Sequence, residues 1–132
     1  MAQSLYLWFP GNAAEALNHY HSVFGGKLET FTFEQFERTD GPPDAIAHGV
    51  LSGPVELYGT DAVEGEDTVN PKGVAISLLG VADGTTLRSW FEALSQDGAV
   101  LDPLAHRAWG ATDGQVVDKF GVRWLIGFED GQ

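Results

Sequence analysis

The chain has 132 residues, no cysteine and a formal net charge of −12, with seven Lys and Arg against 19 Asp and Glu. That length suits one domain, or two small modules sharing a core, and buries about 68% of the unfolded surface without covalent staples. The missing cysteines exclude disulfides, thiolate metal sites and a thiol nucleophile, and the few scattered bases argue against nucleic acid and anionic membranes as partners.

Ser4 to Phe9 alternates and is rich in Leu, Tyr and Trp, which predicts a strand. Pro10-Gly11 ends it. Asn12 followed by Glu15 has the spacing of a capping box, and Ala13, Leu17, Tyr20 and Phe24 form one apolar helical face. Gly25-Gly26 closes that helix. Strands are predicted at Lys27 to Phe36, Ala45 to Leu51 and Val55 to Thr60, so the first module, residues 1–60, reads β-α-β-β-β.

Residues 61–72 carry Gly65, Pro71 and several acids and read as a linker. Gly73 to Leu79 is then a strand and Asp83 to Ser95 a helix with Leu87, Phe91 and Leu94 on one face. Ala99 to Leu101 and Leu104 to Trp109 are predicted as short strands on either side of Pro103. Gln115-Val116-Val117 and Val122 to Ile126 form a hairpin across Asp118-Lys119-Phe120-Gly121, where Asp can bond the turn amides and Gly can take positive φ. Residues 73–132 are thus a second β-α-β-β-β module.

The two helices repeat one another. Leu17, Tyr20, Val23 and Phe24 correspond to Leu87, Trp90, Ala93 and Leu94, each pair 70 positions apart. With the matching element order, this points to an internal duplication. The expected fold is α+β: two βαβββ modules forming a curved mixed-sheet cup with the helices outside and an inner face able to hold a small molecule.

Several stretches together resemble a known family. They are Leu5-Tyr6-Leu7-Trp8-Phe9 with Gly11-Asn12, Ala16-Leu17 with Tyr20, Val23-Phe24-Gly25-Gly26, His48, Asp61, Trp109-Gly110, and Asp118-Lys119-Phe120-Gly121-Val122-Arg123-Trp124. Over essentially its whole length the chain resembles the vicinal oxygen chelate superfamily (glyoxalase I, bleomycin-resistance proteins and extradiol dioxygenases), and within it the PhnB-like group. That group is often labelled demethylubiquinone methyltransferase-like. No G-x-G-x-x-G occurs here, and Gly25-Gly26 follows a helix instead of opening one, so the cofactor loop of a common methyltransferase is missing.

The resemblance implies a divalent metal held by ligands from the first and last strands of each module. The matching first strands around Ser4 to Tyr6 and Ala75 to Ser77 offer no His, Glu or Asp, and the last strand of the second module offers none either. Glu56 alone remains, and one carboxylate is no metal site, so no metal and no cofactor are expected.

His48 is the polar exception in a strand of Ile46, Ala47, Val50 and Leu51. PhnB-like proteins often have His and Glu two apart at this place, but here the second position is Val50. If Ser52-Gly53-Pro54 is a three-residue loop, Leu51 pairs with Val55 and His48, Val50, Glu56 and Tyr58 share a face; a two-residue loop puts Glu56 and Tyr58 on the other side. His48 is then either a ligand anchor and candidate general base or a satisfied core histidine. Trp8, Trp109 and Trp124 suit a pocket that stacks a planar ligand, and they equally suit a core.

The expected protein is a homodimer that binds a small, partly aromatic molecule, lined by Trp8, Trp109, Trp124 and Tyr58 with His48 and Glu56 as polar anchors. The alternatives are a metal-dependent lyase, isomerase or dioxygenase, and a structural or regulatory dimer. No run approaches the ~20 apolar residues of a membrane span. The start Met-Ala-Gln-Ser-Leu lacks a signal peptide's basic and apolar regions, so a cytoplasmic location is expected.

Overall fold

A computed structural model describes residues 3–131. The chain divides into two compact units, Met1–Val69 and Asn70–Gln132. The first runs β1 (Tyr6–Phe9), α1 (Ala13–Phe24), β2 (Lys27–Thr32), β3 (Ile46–Ser52) and β4 (Leu57–Asp61). Its sheet has the order β1-β4-β3-β2, with β1 parallel to β4 and the other pairs antiparallel.

One face of this sheet is covered by α1, which buries Ala13, Ala16, Leu17, Tyr20 and Phe24. Gly49 and Gly59, paired across β3 and β4, let the helix come close. A Cβ on Gly49 would run into Leu17 Cδ1, and one on Gly59 would lie 3.1 Å from Phe9. Leu17, Leu51, Leu57 and Phe9 around this contact are at most 1% exposed, each stabilising the unit by roughly 1.5–3 kcal/mol.

Asn12 does not cap α1. Its backbone stands at φ −117°, ψ 28°, outside the extended conformation that turns a cap side chain over the first turn, and it makes no side-chain cap bond. The buried Asp61, from the end of β4, bonds the helix start instead: its Oδ1 accepts from the Ala13 N–H at 2.8 Å and its Oδ2 from the Ile46 N–H at 2.8 Å. One carboxylate thus ties α1, β3 and β4 together and sits at the positive end of the helix.

The β3–β4 connection is longer than expected. Leu51 pairs with Leu57, not Val55, so five residues, 52–56, separate that pair, the first of them still paired with β2. The difference of two residues preserves parity, and His48, Val50 and Tyr58 still share a face. β2 ends at Thr32, earlier than expected, because the chain then turns: the Phe36 N–H bonds the Thr32 carbonyl and the Arg38 N–H the Phe33 carbonyl. Asp61 belongs to β4, so the connecting segment starts after it.

The second unit runs β5 (Ile76–Leu79), α2 (Gly84–Ser95), β6 (Ala99–His106), β7 (Ala111–Val117) and β8 (Arg123–Glu129), in sheet order β5-β8-β7-β6 with β5 parallel to β8. This is the topology of the first unit, strand for strand. The pairs Leu17/Leu87, Tyr20/Trp90 and Phe24/Leu94 are buried in both helices. Here Asp83 does cap its helix, accepting from the Thr86 N–H at 2.8 Å. The two short strands expected around Pro103 are one strand, β6, with register irregularities on both sides of Asp102. Proline has no N–H to donate to a ladder, and β6, as the edge strand of its sheet, is a place that tolerates one.

Candidate functional site

The face of the first sheet opposite α1 carries the aromatic side chains. Strand alternation turns His48 and Tyr58 away from Gly49 and Gly59, and Tyr6 pairs with Tyr58. Tyr6, Trp8, Phe31, His48 and Tyr58 are therefore brought together from all four strands. The Tyr6 ring lies 4.9 Å from Trp8, 5.7 Å from His48 and 6.2 Å from Tyr58, centroid to centroid. His48 also lies 5.9 Å from Tyr58 and stacks on Phe31 at 6.4 Å and 18°, and Phe31 stacks on Phe36 at 5.6 Å.

His48 is half-buried, and its Nδ1 is 2.9 Å from the Tyr6 hydroxyl. The Tyr6 pKa is raised, chiefly by burial, against the opposing influence of Arg38 and Thr60. Trp8 is 39% exposed, so one ring of the cluster meets solvent. Glu56 lies in the β3–β4 loop, exposed, and its Oε1 accepts from the Tyr58 hydroxyl at 3.2 Å. A polar group thus stands at the edge of an otherwise aromatic surface.

The other residues expected at the site lie in the second unit. Trp109 sits in the β6–β7 turn, 74% exposed, against a cavity of about 450 Å³ that Leu79 and Phe128 also line. Trp124 is not brought to an open face. It is fully buried on the α2 side of β8, and its indole N–H donates to Asp118 Oδ2 at 2.8 Å. Asp118 Oδ1 accepts from the Phe120 and Val122 amides, so this carboxylate organises the turn and the tryptophan behind it.

Two members of the cluster were missed. Phe31 read as one apolar residue in an ordinary strand. Tyr6 reads from the sequence as part of the first strand and of the family motif, at a metal-ligand position that offers no His, Glu or Asp. The signal was its place two residues before Trp8, which puts both rings on one face of β1.

The superfamily's divalent metal does not fit the residues present. Among the described residues no group of three or more His, Asp or Glu could hold an ion. Glu56 is exposed and bonded to Tyr58, and the first-strand position nearest His48 is a phenol, not a hard anionic ligand.

Comparison with known proteins places this arrangement. A family model described as 3-demethylubiquinone-9 3-methyltransferase matches residues 2–127. The crystal structure of protein PA1353 from Pseudomonas aeruginosa is similar at 32% identity and TM-score 0.79, over 97% of this chain and 98% of that one. A putative 3-demethylubiquinone-9 3-methyltransferase, PhnB protein, from Bacillus cereus is similar at 25% identity and TM-score 0.76, over 97% and 99%. The fold alone is shared with a member of the glyoxalase/bleomycin resistance protein/dioxygenase superfamily from Sphaerobacter thermophilus, at 13% identity and TM-score 0.58 over 98% of both chains. The chain belongs to the PhnB-like family that bears the 3-demethylubiquinone-9 3-methyltransferase description.

Proposed function

We propose that the protein binds a small planar molecule on the aromatic face of the first unit. The observation that carries this reading is the Tyr6–Trp8–His48–Tyr58 cluster, an aromatic surface with a half-buried imidazole at its centre and partly open at Trp8. Such surfaces stack planar ligands, while a few polar groups fix their orientation. His48 and Glu56 are those groups. Trp109 lines a separate cavity within its own unit and is not needed for this reading.

The activity named in the family's description finds no support in these residues, because the strand–glycine loop–helix cradle of a dinucleotide-type cofactor is missing from the sequence. Metal-dependent lyase, isomerase or dioxygenase chemistry is disfavoured by the chemistry of the donor set around His48.

Thermal-shift screening with planar compounds tests the proposal. A compound at 100 times its Kd adds about 2.7 kcal/mol to stability, which is easily seen as a raised midpoint. No shift across a broad library of planar compounds would overturn the binding reading. Near-stoichiometric metal in protein purified without chelator would overturn it in favour of an enzyme.

A further inference from the structure

The Tyr6–His48 pair does more than fill the cluster. The Tyr6 phenol bonds His48 Nδ1 at 2.9 Å, and the Thr60 side chain lies near enough to act on the same hydroxyl. Among the described residues His48 makes no other hydrogen bond, and the residue is half-buried. The imidazole therefore has one nitrogen engaged inside the cluster and the other without a protein partner among the described residues.

A neutral imidazole carries its proton on one nitrogen and accepts on the other, so a hydrogen bond at one end fixes the behaviour of the opposite end. Were His48 to donate from Nδ1, the Tyr6 hydrogen would give up its 2.9 Å partner and have the Thr60 side chain to turn to in a partly buried place, which is the less favourable arrangement. With Tyr6 as donor, both groups are satisfied and Nε2 keeps its proton. The rings hold this geometry: His48 lies between Phe31 on one side and Tyr6 and Tyr58 on the other.

We infer that Tyr6 is a positioning residue that fixes His48 as an Nε2–H donor, so that the site selects planar molecules carrying a hydrogen-bond acceptor, such as a ring nitrogen or carbonyl oxygen, over hydrocarbons of the same shape. This deepens the proposed binding function and rests on it for the ligand, though not for the tautomer.

The experiment has two arms. Long-range ¹H–¹⁵N correlation spectra of the His48 ring in mildly alkaline buffer read the tautomer in the free protein. Titration with quinoline and with naphthalene, matched in shape but differing in one ring nitrogen, reads the selectivity. The expected results are the Nε2–H tautomer in the wild type, a mixture of tautomers in Tyr6→Phe, and quinoline affinity that falls about fivefold in that variant while naphthalene affinity holds. An Nδ1–H tautomer in the wild type would overturn the inference and leave the binding reading standing. Equal affinity for the two probes would overturn the selectivity in the same way. If neither probe binds while the Nε2–H tautomer is present, the ligand reading is overturned and the Tyr6–His48 arrangement stands. Should Tyr6→Phe not fold, the wild-type tautomer and the wild-type quinoline/naphthalene ratio still decide.

Discussion

At the scale of single residues, the aromatic face should be separable from the core. Trp8 is 39% exposed and His48 half-buried, and among the described residues His48 makes one hydrogen bond. Replacing either with alanine should weaken binding of planar compounds by about tenfold, comparable to losing one stacking contact of ~1 kcal/mol or slightly more. Thermal midpoints should move by only a few degrees, because little buried surface is lost. A collapse of the fold in His48→Ala would instead mark a core histidine. Tyr6 adds an alkaline signature. Its raised pKa means the folded state holds the phenol proton more firmly than the unfolded chain. That stabilisation is complete below about pH 10 and fades as pH rises through the raised folded value. Urea midpoints should therefore decline from about pH 10 upward, and Tyr6→Phe should make that decline shallower.

At the scale of elements, each unit has one carboxylate that ties its own elements together. Asp61 joins a helix start to a strand start, and Asp118 joins a turn to a buried indole. Replacing either by alanine leaves buried N–H groups without acceptors, at a cost of about 3 kcal/mol, readable as a lowered urea midpoint with unchanged slope. The two differ in how far the sequence foretold them. Asp118 was legible, since an Asp-x-x-Gly turn between apolar strands is a local pattern. Asp61 was named as a family marker, but its role was not legible, since its partners Ala13 and Ile46 lie 48 and 15 positions away. For the same reason Asn12 was assigned a cap that Asp61 makes unnecessary. Strand identity and the repeat were legible from period and spacing, whereas the site depended on register. His48 and Tyr58 share a face because Val50 pairs with Tyr58, and Trp124 could not be told from a ligand-facing tryptophan until β8 had a covered side.

At the scale of the whole chain, the four tryptophans divide into two kinds. Trp90 and Trp124 are at most 7% exposed, while Trp8 and Trp109 are 39% and 74% exposed. Acrylamide quenching of the native protein should therefore be biphasic, with two accessible and two protected indoles, and Trp8→Phe and Trp109→Phe should each remove part of the quenchable fraction. A net charge of −12 also predicts a stability that depends on salt. Self-repulsion in the compact state falls as the Debye length shrinks to about 8 Å near 0.15 M salt, so the melting midpoint should rise between low and physiological ionic strength.

The loop of residues 52–56 carries a rule about how this sequence can change over evolutionary time. Its five residues place Leu51 against Leu57 and leave His48 and Tyr58 on the same side of the sheet. Residues gained or lost there change only the reach of the connection, since the pairs on either side of it can stay as they are. One residue gained or lost inside β4, between Leu57 and Tyr58, with no bulge to absorb it, would send Tyr58 toward α1. Lineages that keep the aromatic face should therefore vary in length in this loop and not within β3 or β4. A relative with a one-residue step inside β4 should also lack the Tyr58 side chain, since nothing would remain to retain it.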